Sequence, residues 1–305
     1  MSAIGSNLDK QQLGARTLVS AGAFRKVYDP SVGEAEPWYI NDHCLVRDDS
    51  GLWHMFGITH AEPLNPMDEK HLAHATTPSL TQAPWNKQPF ALSADFEGWN
   101  EVHLWAPCVI QHDGLYYMYV CVGDESSHTY KIHLATSRDL YHWERHPENP
   151  MVVDGFDARD PYILRLGDEW LMYYTATSEP QGGNHIVACM RSHDLIHWGD
   201  RRVVFIDEET GTSGGSTESP TVIQRGDTFY LFICNNDRRG GYDCTDVFAS
   251  DNPFHWSLDQ RAGVVAAHAP EIVRESDGQW YATHCGWGRG GVHLAPLHWH
   301  DGLAD

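Results

Sequence analysis

The chain has 305 residues, of which 42 are Asp or Glu and 21 are Lys or Arg, so its formal net charge is −21. This charge argues against nucleic acid and anionic membranes as partners, because both bind clustered Lys and Arg, and it suits a neutral ligand. The hydrophobic share of 41% is ordinary for a globular protein. The length allows a sizeable core, in one large all-β domain or in two average domains.

The beginning of the chain lacks any repeated pattern, so residues 1–36 are predicted to form an N-terminal tail or a closing segment. No apolar stretch of the signal-peptide kind occurs there, and no run in the chain has the length of a transmembrane helix. The seven cysteines form no CxxC pair, and four of them lie in apolar runs, which indicates buried thiols in a reducing compartment. We therefore predict a cytoplasmic protein without membrane association.

From residue 37 onward, predicted β-hairpins recur. Each has a polar or aromatic start, an apolar strand, a turn that contains a Gly, and an aromatic strand. The five segments are 38–59, 104–122, 158–176, 218–235 and 268–286, with turn glycines Gly51, Gly114, Gly167, Gly226 and Gly278.

A second element follows each hairpin and ends in a tryptophan, at Trp85, Trp143, Trp198, Trp256 and Trp299. The two markers share a period of about 55 residues, which is typical of a propeller blade. The sequence therefore predicts an all-β fold, a five-bladed β-propeller, with residues 37–305 as its single domain. The alternative is a large β-sandwich with coincidental internal similarity.

The start of each hairpin carries the chemistry, because the innermost strands of a propeller line one central channel. A pure scaffold would repeat one residue type there, but three of these segments each supply a carboxylate, from Asp42, Asp160 and Glu218. In hairpin order, the position before the Pro (or before His43 in the first hairpin) holds Asp42, Ala106, Asp160, Ser219 and Ala269. The position before that holds Asn41, Trp105, Arg159, Glu218 and His268.

Three convergent carboxylates permit glycosidic chemistry. A protonated acid gives its proton to the leaving oxygen, and an ionised carboxylate acts opposite it as base or nucleophile. The third can hold an oxocarbenium-like sugar, and Trp105 can stack on a sugar or pack between blades. Arg159 can contact sugar hydroxyls or anchor Asp160. The competing interpretation is a divalent metal held by carboxylates and histidine.

These motifs resemble the five-bladed propeller glycoside hydrolases of families 43, 32 and 68, over nearly all of residues 37–300. Trp105-Ala106-Pro107 is similar to the second-blade motif of family 43, and Asn41-Asp42 resembles the first-blade Asn-Asp of family 32. Arg159-Asp160-Pro161 matches the Arg-Asp-Pro of families 32 and 68. Glu218-Ser219-Pro220 is similar to the Glu-x-Pro that carries the general acid.

The resemblance implies roles for these residues. Glu218 would be the general acid, Asp42 the base (family 43) or the nucleophile (family 32), and Asp160 the group that orients the acid and stabilises the transition state. His268 stands where family 43 often has a channel histidine that can ligate calcium. The chain departs from family 32 in reading Asn-Asp-His-Cys at the first motif, in having Ser219 instead of Cys, and in lacking an appended β-sandwich, which favours a family 43-like member.

We therefore predict a glycoside hydrolase that acts on a terminal furanoside, such as an arabinofuranoside or fructofuranoside, or on a xyloside. Inversion is favoured by analogy; a separation of about 6.5–9.5 Å between the acid and base carboxyls predicts inversion, and about 5–5.5 Å predicts retention. Asn41, Trp105, Arg159, His268 and Trp287 are predicted to bind substrate. No cofactor is predicted to be required, apart from an optional structural Ca²⁺ at His268. The alternatives are a non-catalytic carbohydrate-binding propeller and a glycosyl-transferring or phosphorolytic relative.

Overall fold

The computed structural model describes residues 18–124, 129–208, 217–234 and 241–303. Strands dominate these residues, which confirms the all-β prediction. The one α-helix in the described ranges, α1 (Phe96–Trp99), is a single turn, and the short 3₁₀ helices are Pro66–Asp68, Gly241–Asp243 and Leu258–Gln260. None of the helices in the described part of the chain is long or apolar enough to cross a bilayer.

Two short strands, β1 (Val19–Ala21) and β2 (Arg25–Tyr28), precede the first predicted hairpin. Both pair antiparallel with the last strand, β21 (Val292–Trp299), and β1 also pairs in parallel with β18 (Arg261–Val265). The early part of the chain is therefore bound into the last sheet. Residues 1–17 of the predicted tail lie outside the described residues.

Three antiparallel sheets of four strands follow in chain order. The first contains β3 (Trp38–Arg47), β4 (Trp53–Ala61), β5 (His71–Thr77) and β6 (Asn86–Ser93). The second contains β7 (Glu101–His112), β8 (Leu115–Asp124), β9 (Thr129–Ser137) and β10 (Glu144–Arg145). The third contains β11 (Ala158–Leu166), β12 (Glu169–Glu179), β13 (Gly182–Ser192) and β14 (Gly199–Ile206).

A nine-stranded sheet holds the rest of the chain. Its first part is β15 (Glu218–Arg225), β16 (Thr228–Cys234), β17 (Thr245–Ser250) and β18. Its second part is β19 (Ile272–Arg274), β20 (Trp280–His284) and β21, joined by β1 and β2. Strand pairing joins the two parts through β1, in the parallel pair of Val19 with Gly263.

The predicted hairpins are confirmed as the strand pairs β3–β4, β7–β8, β11–β12, β15–β16 and β19–β20. Their turn glycines all adopt positive φ, between 57° and 91°, which glycine tolerates without steric cost. The repeat in the sequence therefore marks a repeated backbone conformation.

The apolar core lies between successive sheets. One cluster joins the first and second sheets around Phe56 and Met118, and another joins the second and third around Tyr119 and Met172. A cluster around Val27, Met55 and Leu294 joins the end of the chain to the first sheet. Because the last sheet packs against the first, the sheets close into a ring, and their first strands face its centre.

Candidate active site

The first strand of each sheet breaks its ladder at the same place. The pairing shifts register between Asn41 and His43 in β3, and at matching points in β7, β11 and β15. At the position before the Pro, non-glycine residues take positive φ; these are Ala106 (43°), Asp160 (54°), Ser219 (52°) and Ala269 (41°). Such bulges re-aim side chains, and strained residues of this kind cluster at functional sites.

The bulges bring the predicted site residues together. One pocket of about 450 Å³ is lined by all eight of them: Asn41, Asp42, Trp105, Arg159, Asp160, Glu218, His268 and Trp287. It is also lined by Glu69 and Tyr242, which the sequence analysis did not select. Residues from all parts of the chain therefore converge on one concave site.

Ser219 ties two of the carboxylates together. Its hydroxyl donates to Asp42 Oδ1 at 3.0 Å, and its backbone N–H donates to Asp160 Oδ2 at 3.1 Å. The hydroxyl of Thr175 donates to the same oxygen of Asp160 at 3.2 Å. Asp160 is thus fixed from two sides, as a residue that orients others needs to be.

Arg159 is bound to carboxylates. Its Nη1 donates to Glu218 Oε1 at 2.6 Å, and its Nε donates to Asp157 Oδ2 at 3.1 Å. His185 Nε2 lies 3.1 Å from the same oxygen of Asp157. Arg159 Nη1 also lies 3.8 Å from Asp160, so this guanidinium is the positive charge at the centre of the acidic site.

The protonation of the carboxylates follows from this arrangement. Burial, and then the neighbouring Asp160 and Glu218, raise the pKa of Asp42 well above its usual value. Burial also raises the pKa of Asp160, against the opposing effect of Arg159. Burial would raise the pKa of Glu218 too, but the guanidinium of Arg159 outweighs it and lowers that pKa. Without substrate, the proton thus favours Asp42, the reverse of the order that the predicted acid and base roles require.

His268 lies beside Asp42 in the same pocket. Its Nδ1 is 3.2 Å from the carbonyl of Tyr242 and so carries the proton, which leaves the Nε2 lone pair 3.7 Å from Asp42 Oδ1. Burial lowers the pKa of His268 to about 4, so the ring is neutral. In the described ranges, His268 belongs to no group of three or more His, Cys, Asp or Glu side chains that could hold a metal. Calcium prefers six to eight oxygen ligands, a set that these residues do not supply, and its binding stays a prediction.

Aromatic rings form the walls of the pocket. Tyr242 stacks on His268 with 3.8 Å between ring centroids and on Trp287 with 5.3 Å, and its hydroxyl donates to Asn41 Oδ1 at 3.0 Å. Across the pocket, Trp105 stacks on His103 at 3.9 Å. Flat aromatic faces in a pocket that also holds carboxylates suit a ligand with apolar faces and hydroxyl edges, as sugars have.

The residues that sequence reasoning missed lie outside the repeated position. Glu69 follows a short 3₁₀ helix between β4 and β5, and Tyr242 lies in another between β16 and β17. Neither position belongs to the motif that repeats at the start of the hairpins. Asp157 could have been found, because it stands two residues before Arg159, and residues at that spacing share one face of a strand.

A family model supports the motif resemblance. The model described as "Glycosyl hydrolases family 43" matches residues 68–302. The extracellular exo-alpha-(1->5)-L-arabinofuranosidase ArbA of Cellvibrio japonicus is 28% identical over 226 residues, which cover 63% of this chain and 58% of that protein. The arabinan endo-1,5-alpha-L-arabinosidase A of Aspergillus niger is 28% identical over 198 residues, covering 58% of this chain and 54% of that protein. The chain thus spans little more than half the length of these relatives.

Solved structures share the fold. The RS223 beta-xylosidase superposes with a TM-score of 0.70 at 17% identity, covering 92% of this chain and 97% of that one. A GH43_1 enzyme from Xanthomonas citri, complexed with xylotriose, gives 0.67 at 18% identity, covering 87% and 89%. The GH32 beta-fructofuranosidase BmSUC1 of Bombyx mori gives 0.61 at 19% identity, covering 85% and 59%. Since the family model spans most of the sequence, this chain belongs to glycosyl hydrolase family 43.

Proposed function

We propose that this chain hydrolyses the glycosidic bond of a terminal furanoside, such as an arabinofuranoside or fructofuranoside, or of a xyloside. The observation that carries the proposal is the convergence of Asp42, Asp160 and Glu218 on one aromatic-walled pocket. Curated relatives named as an arabinofuranosidase and an arabinosidase, and a solved xylosidase of like fold, support this substrate class. An oligosaccharide or glycoside is then the partner.

The proposal includes a ring of five blades. Three four-stranded sheets count as one blade each, and the nine-stranded sheet counts as two that meet through β1. Residues 37–305 would form this single catalytic domain. Residues 18–36 would close it, which the pairing of β1 and β2 with β21 supports.

In the proposed reaction, Glu218 gives its proton to the glycosidic oxygen as the bond from that oxygen to the anomeric carbon breaks. Asp42 takes a proton from water, whose oxygen bonds to the same carbon from the opposite face, so the product is an inverted sugar and a free alcohol. Asp160 interacts electrostatically with both Asp42 and Glu218. Its negative charge stabilises the positive charge that develops on the sugar. Family membership supports inversion.

The proton has to reach Glu218 before this step. Asp42, Asp160 and Glu218 interact strongly, so they titrate as a group and not as separate acids. We propose that a bound sugar draws Arg159 from Glu218 toward its hydroxyls. Glu218, buried without its counter-charge, would then have a raised pKa and take the proton that Asp42 holds in the free site.

The alternatives have less support. Phosphorolysis needs a basic pocket for phosphate, but Arg159 is paired with Glu218 and Asp157, and Arg289 is paired with Asp243. A non-catalytic sugar-binding propeller would not need three carboxylates around one Arg.

A cytoplasmic location remains part of the proposal. The seven cysteines, all in the described residues, are buried and without disulfides, whereas ArbA is named as extracellular. Secretion of the native protein into the medium would contradict it.

The test is a panel of 4-nitrophenyl glycosides: α-L-arabinofuranoside, β-D-xyloside, β-D-fructofuranoside and β-D-galactoside. We expect the wild type to cleave a furanoside or the xyloside, and Asp42→Asn to lose about 10²–10⁴-fold in kcat. The control is Asp113→Asn, an exposed turn residue at φ 50°, a conformation that Asn accepts, and it should keep full activity. Proton NMR of the first product anomer tests inversion. Sugar binding by wild type without turnover would favour the non-catalytic alternative.

A further inference from the structure

Glu69 is a fourth carboxyl group in the pocket wall, with no place in the proposed reaction. Its backbone is fixed at both ends, since its N–H donates to the carbonyl of Pro66 at 3.3 Å and its carbonyl accepts from Leu104 N–H at 3.0 Å. Only 1% of its surface is exposed, yet it lines the same pocket as Asp42 and Glu218. The fold therefore fixes the backbone of Glu69 at the edge of the site.

Aromatic donors surround Glu69. The Tyr39 hydroxyl donates to its Oε1 at 2.8 Å, and Trp287 Nε1 donates to the same oxygen at 3.3 Å. Trp105 Nε1, from the opposite wall, donates to the carbonyl of Pro66 at 3.3 Å, at the start of the turn that ends in Glu69. This one loop therefore touches both tryptophans that the sequence predicts to contact substrate.

Among the described residues, the charge of Glu69 has no cationic partner. Within the residues that the structure describes, no Lys, Arg or His forms an ion pair with it, in contrast to Glu218 with Arg159. Burial raises its pKa to about 7, against the opposing effect of hydrogen bonds from Tyr39, Trp287 and Trp105. A buried carboxyl group is costly unless it is hydrogen-bonded, and Tyr39 and Trp287 share a single oxygen of Glu69.

We propose that Glu69 determines specificity by hydrogen-bonding one hydroxyl of the terminal sugar, while Trp287 and Trp105 cover the faces of the ring. The inference rests on the proposed function. It adds that an accepted substrate must carry one particular hydroxyl on its terminal sugar. Glycosides that carry the hydroxyl are bound, and analogues without it are rejected, because the buried carboxyl then loses its partner. Glu69 takes no part in proton transfer to the leaving group.

The test combines one change in the protein with one change in the substrate, in the manner of a double-mutant cycle. kcat/KM is measured for the preferred 4-nitrophenyl glycoside and for each of its monodeoxy analogues, with wild type and with Glu69→Gln. We expect one deoxy analogue to lose at least tenfold more activity with wild type than with Glu69→Gln, and the others to lose equal factors with both proteins. With the unmodified substrate, Glu69→Gln should act mainly by raising KM.

Two further variants separate recognition from structure. Glu69→Asp keeps the charge but shortens the reach, so it should also reduce discrimination of the same hydroxyl, and it replaces Glu69→Gln if that variant fails to fold. Tyr39→Phe removes a hydrogen bond to Glu69 from a residue outside the pocket lining, and it should keep the discrimination. Equal losses on every deoxy analogue in wild type and Glu69 variants would overturn the inference. A wild type that cleaves none of the parent glycosides would instead refute the proposed function.

Discussion

The guanidinium of Arg159 lies 2.6 Å from Glu218, the residue proposed to donate the proton. A general acid is useful only while protonated, and this contact favours its ionised form. In the free site, Glu218 is therefore ionised and Asp42 holds the proton. The proposed reaction requires that the guanidinium moves away from Glu218 and that the proton passes from Asp42 to Glu218. The predictions below address this relationship and the residues that maintain it.

Removing the charge of Arg159 should shift the pH profile. In Arg159→Gln, burial of Glu218 and Asp42 is no longer opposed by a cation, so both carboxyl pKa values rise. Because kcat/KM reports groups of the free enzyme, both limbs of its pH profile should move to higher pH, with a lower maximum. Arg202→Gln, an exposed residue paired with Asp200, serves as control and should leave the profile in place. An unshifted profile in Arg159→Gln would contradict the assigned pairing.

Asp157 should act as a positioning residue. It holds Arg159 through Nε and also contacts His185, but it does not line the pocket. In Asp157→Asn, we expect kcat to fall about tenfold or more because a misplaced guanidinium misaligns the carboxylates. The readout that separates positioning from stability is again the pH profile, which should shift in the same direction as in Arg159→Gln. A loss of thermal stability with an unchanged profile would show a structural role alone.

Ser219 should tune the base. Its hydroxyl donates to Asp42 and lowers the pKa of that carboxyl, against the larger effect of burial. Ser219→Ala removes this bond and raises the Asp42 pKa further. Because Asp42 holds the proton in the free enzyme, its titration sets the alkaline limb of kcat/KM, which should move to higher pH. Ser219→Gly loses the same bond but relaxes the backbone, whose φ is 52°. The two variants should thus share the shift while the glycine variant is the more stable, and a shift in only one of them would refute this explanation.

A buried ion pair away from the pocket should control acid stability. Arg145 donates to Glu101, which is 1% exposed. Burial would raise the Glu101 pKa, but Arg145 and His133 lower it below its ordinary value of 4.5. A depressed carboxyl pKa stabilises the fold above the unfolded value, and this stability is lost as pH falls through the folded pKa. In urea unfolding at pH 7, Arg145→Ala should lose about 3–5 kcal/mol, and Arg202→Ala about 0.5 kcal/mol or less.

The sequence predicts much of this fold because its markers repeat. Turn glycines such as Gly51 and Gly167 recur at one point of each hairpin, and they adopt the same backbone conformation. Alignment on these hairpins also found Asp160 and Ser219, whose positive φ marks the bulge that faces the centre. A periodic pattern thus predicts both the strands and the repeated position whose residues meet in the pocket.

Features without a periodic counterpart were not predictable. Glu69 and Tyr242 lie in loops between strands, where no alignment places a side chain in the pocket. The sequence also places Arg159 beside Asp160, but the carboxylates at hydrogen-bonding distance are those of Glu218, on another sheet, and Asp157. The resulting distribution of protons depends on burial and on distances of a few ångströms, which a motif does not encode.

The most direct test of the account compares leaving groups in two variants. A 2,4-dinitrophenyl glycoside departs without protonation, whereas an alkyl glycoside or a natural disaccharide requires an acid. We predict that Glu218→Gln loses about 10²–10⁴-fold in kcat on the poor leaving group but little on the dinitrophenyl substrate, and that Asp42→Asn is impaired on both. Recovery of Asp42→Asn, and not of Glu218→Gln, on the dinitrophenyl substrate would show that the proton stays on Asp42 during catalysis and would contradict the assignment.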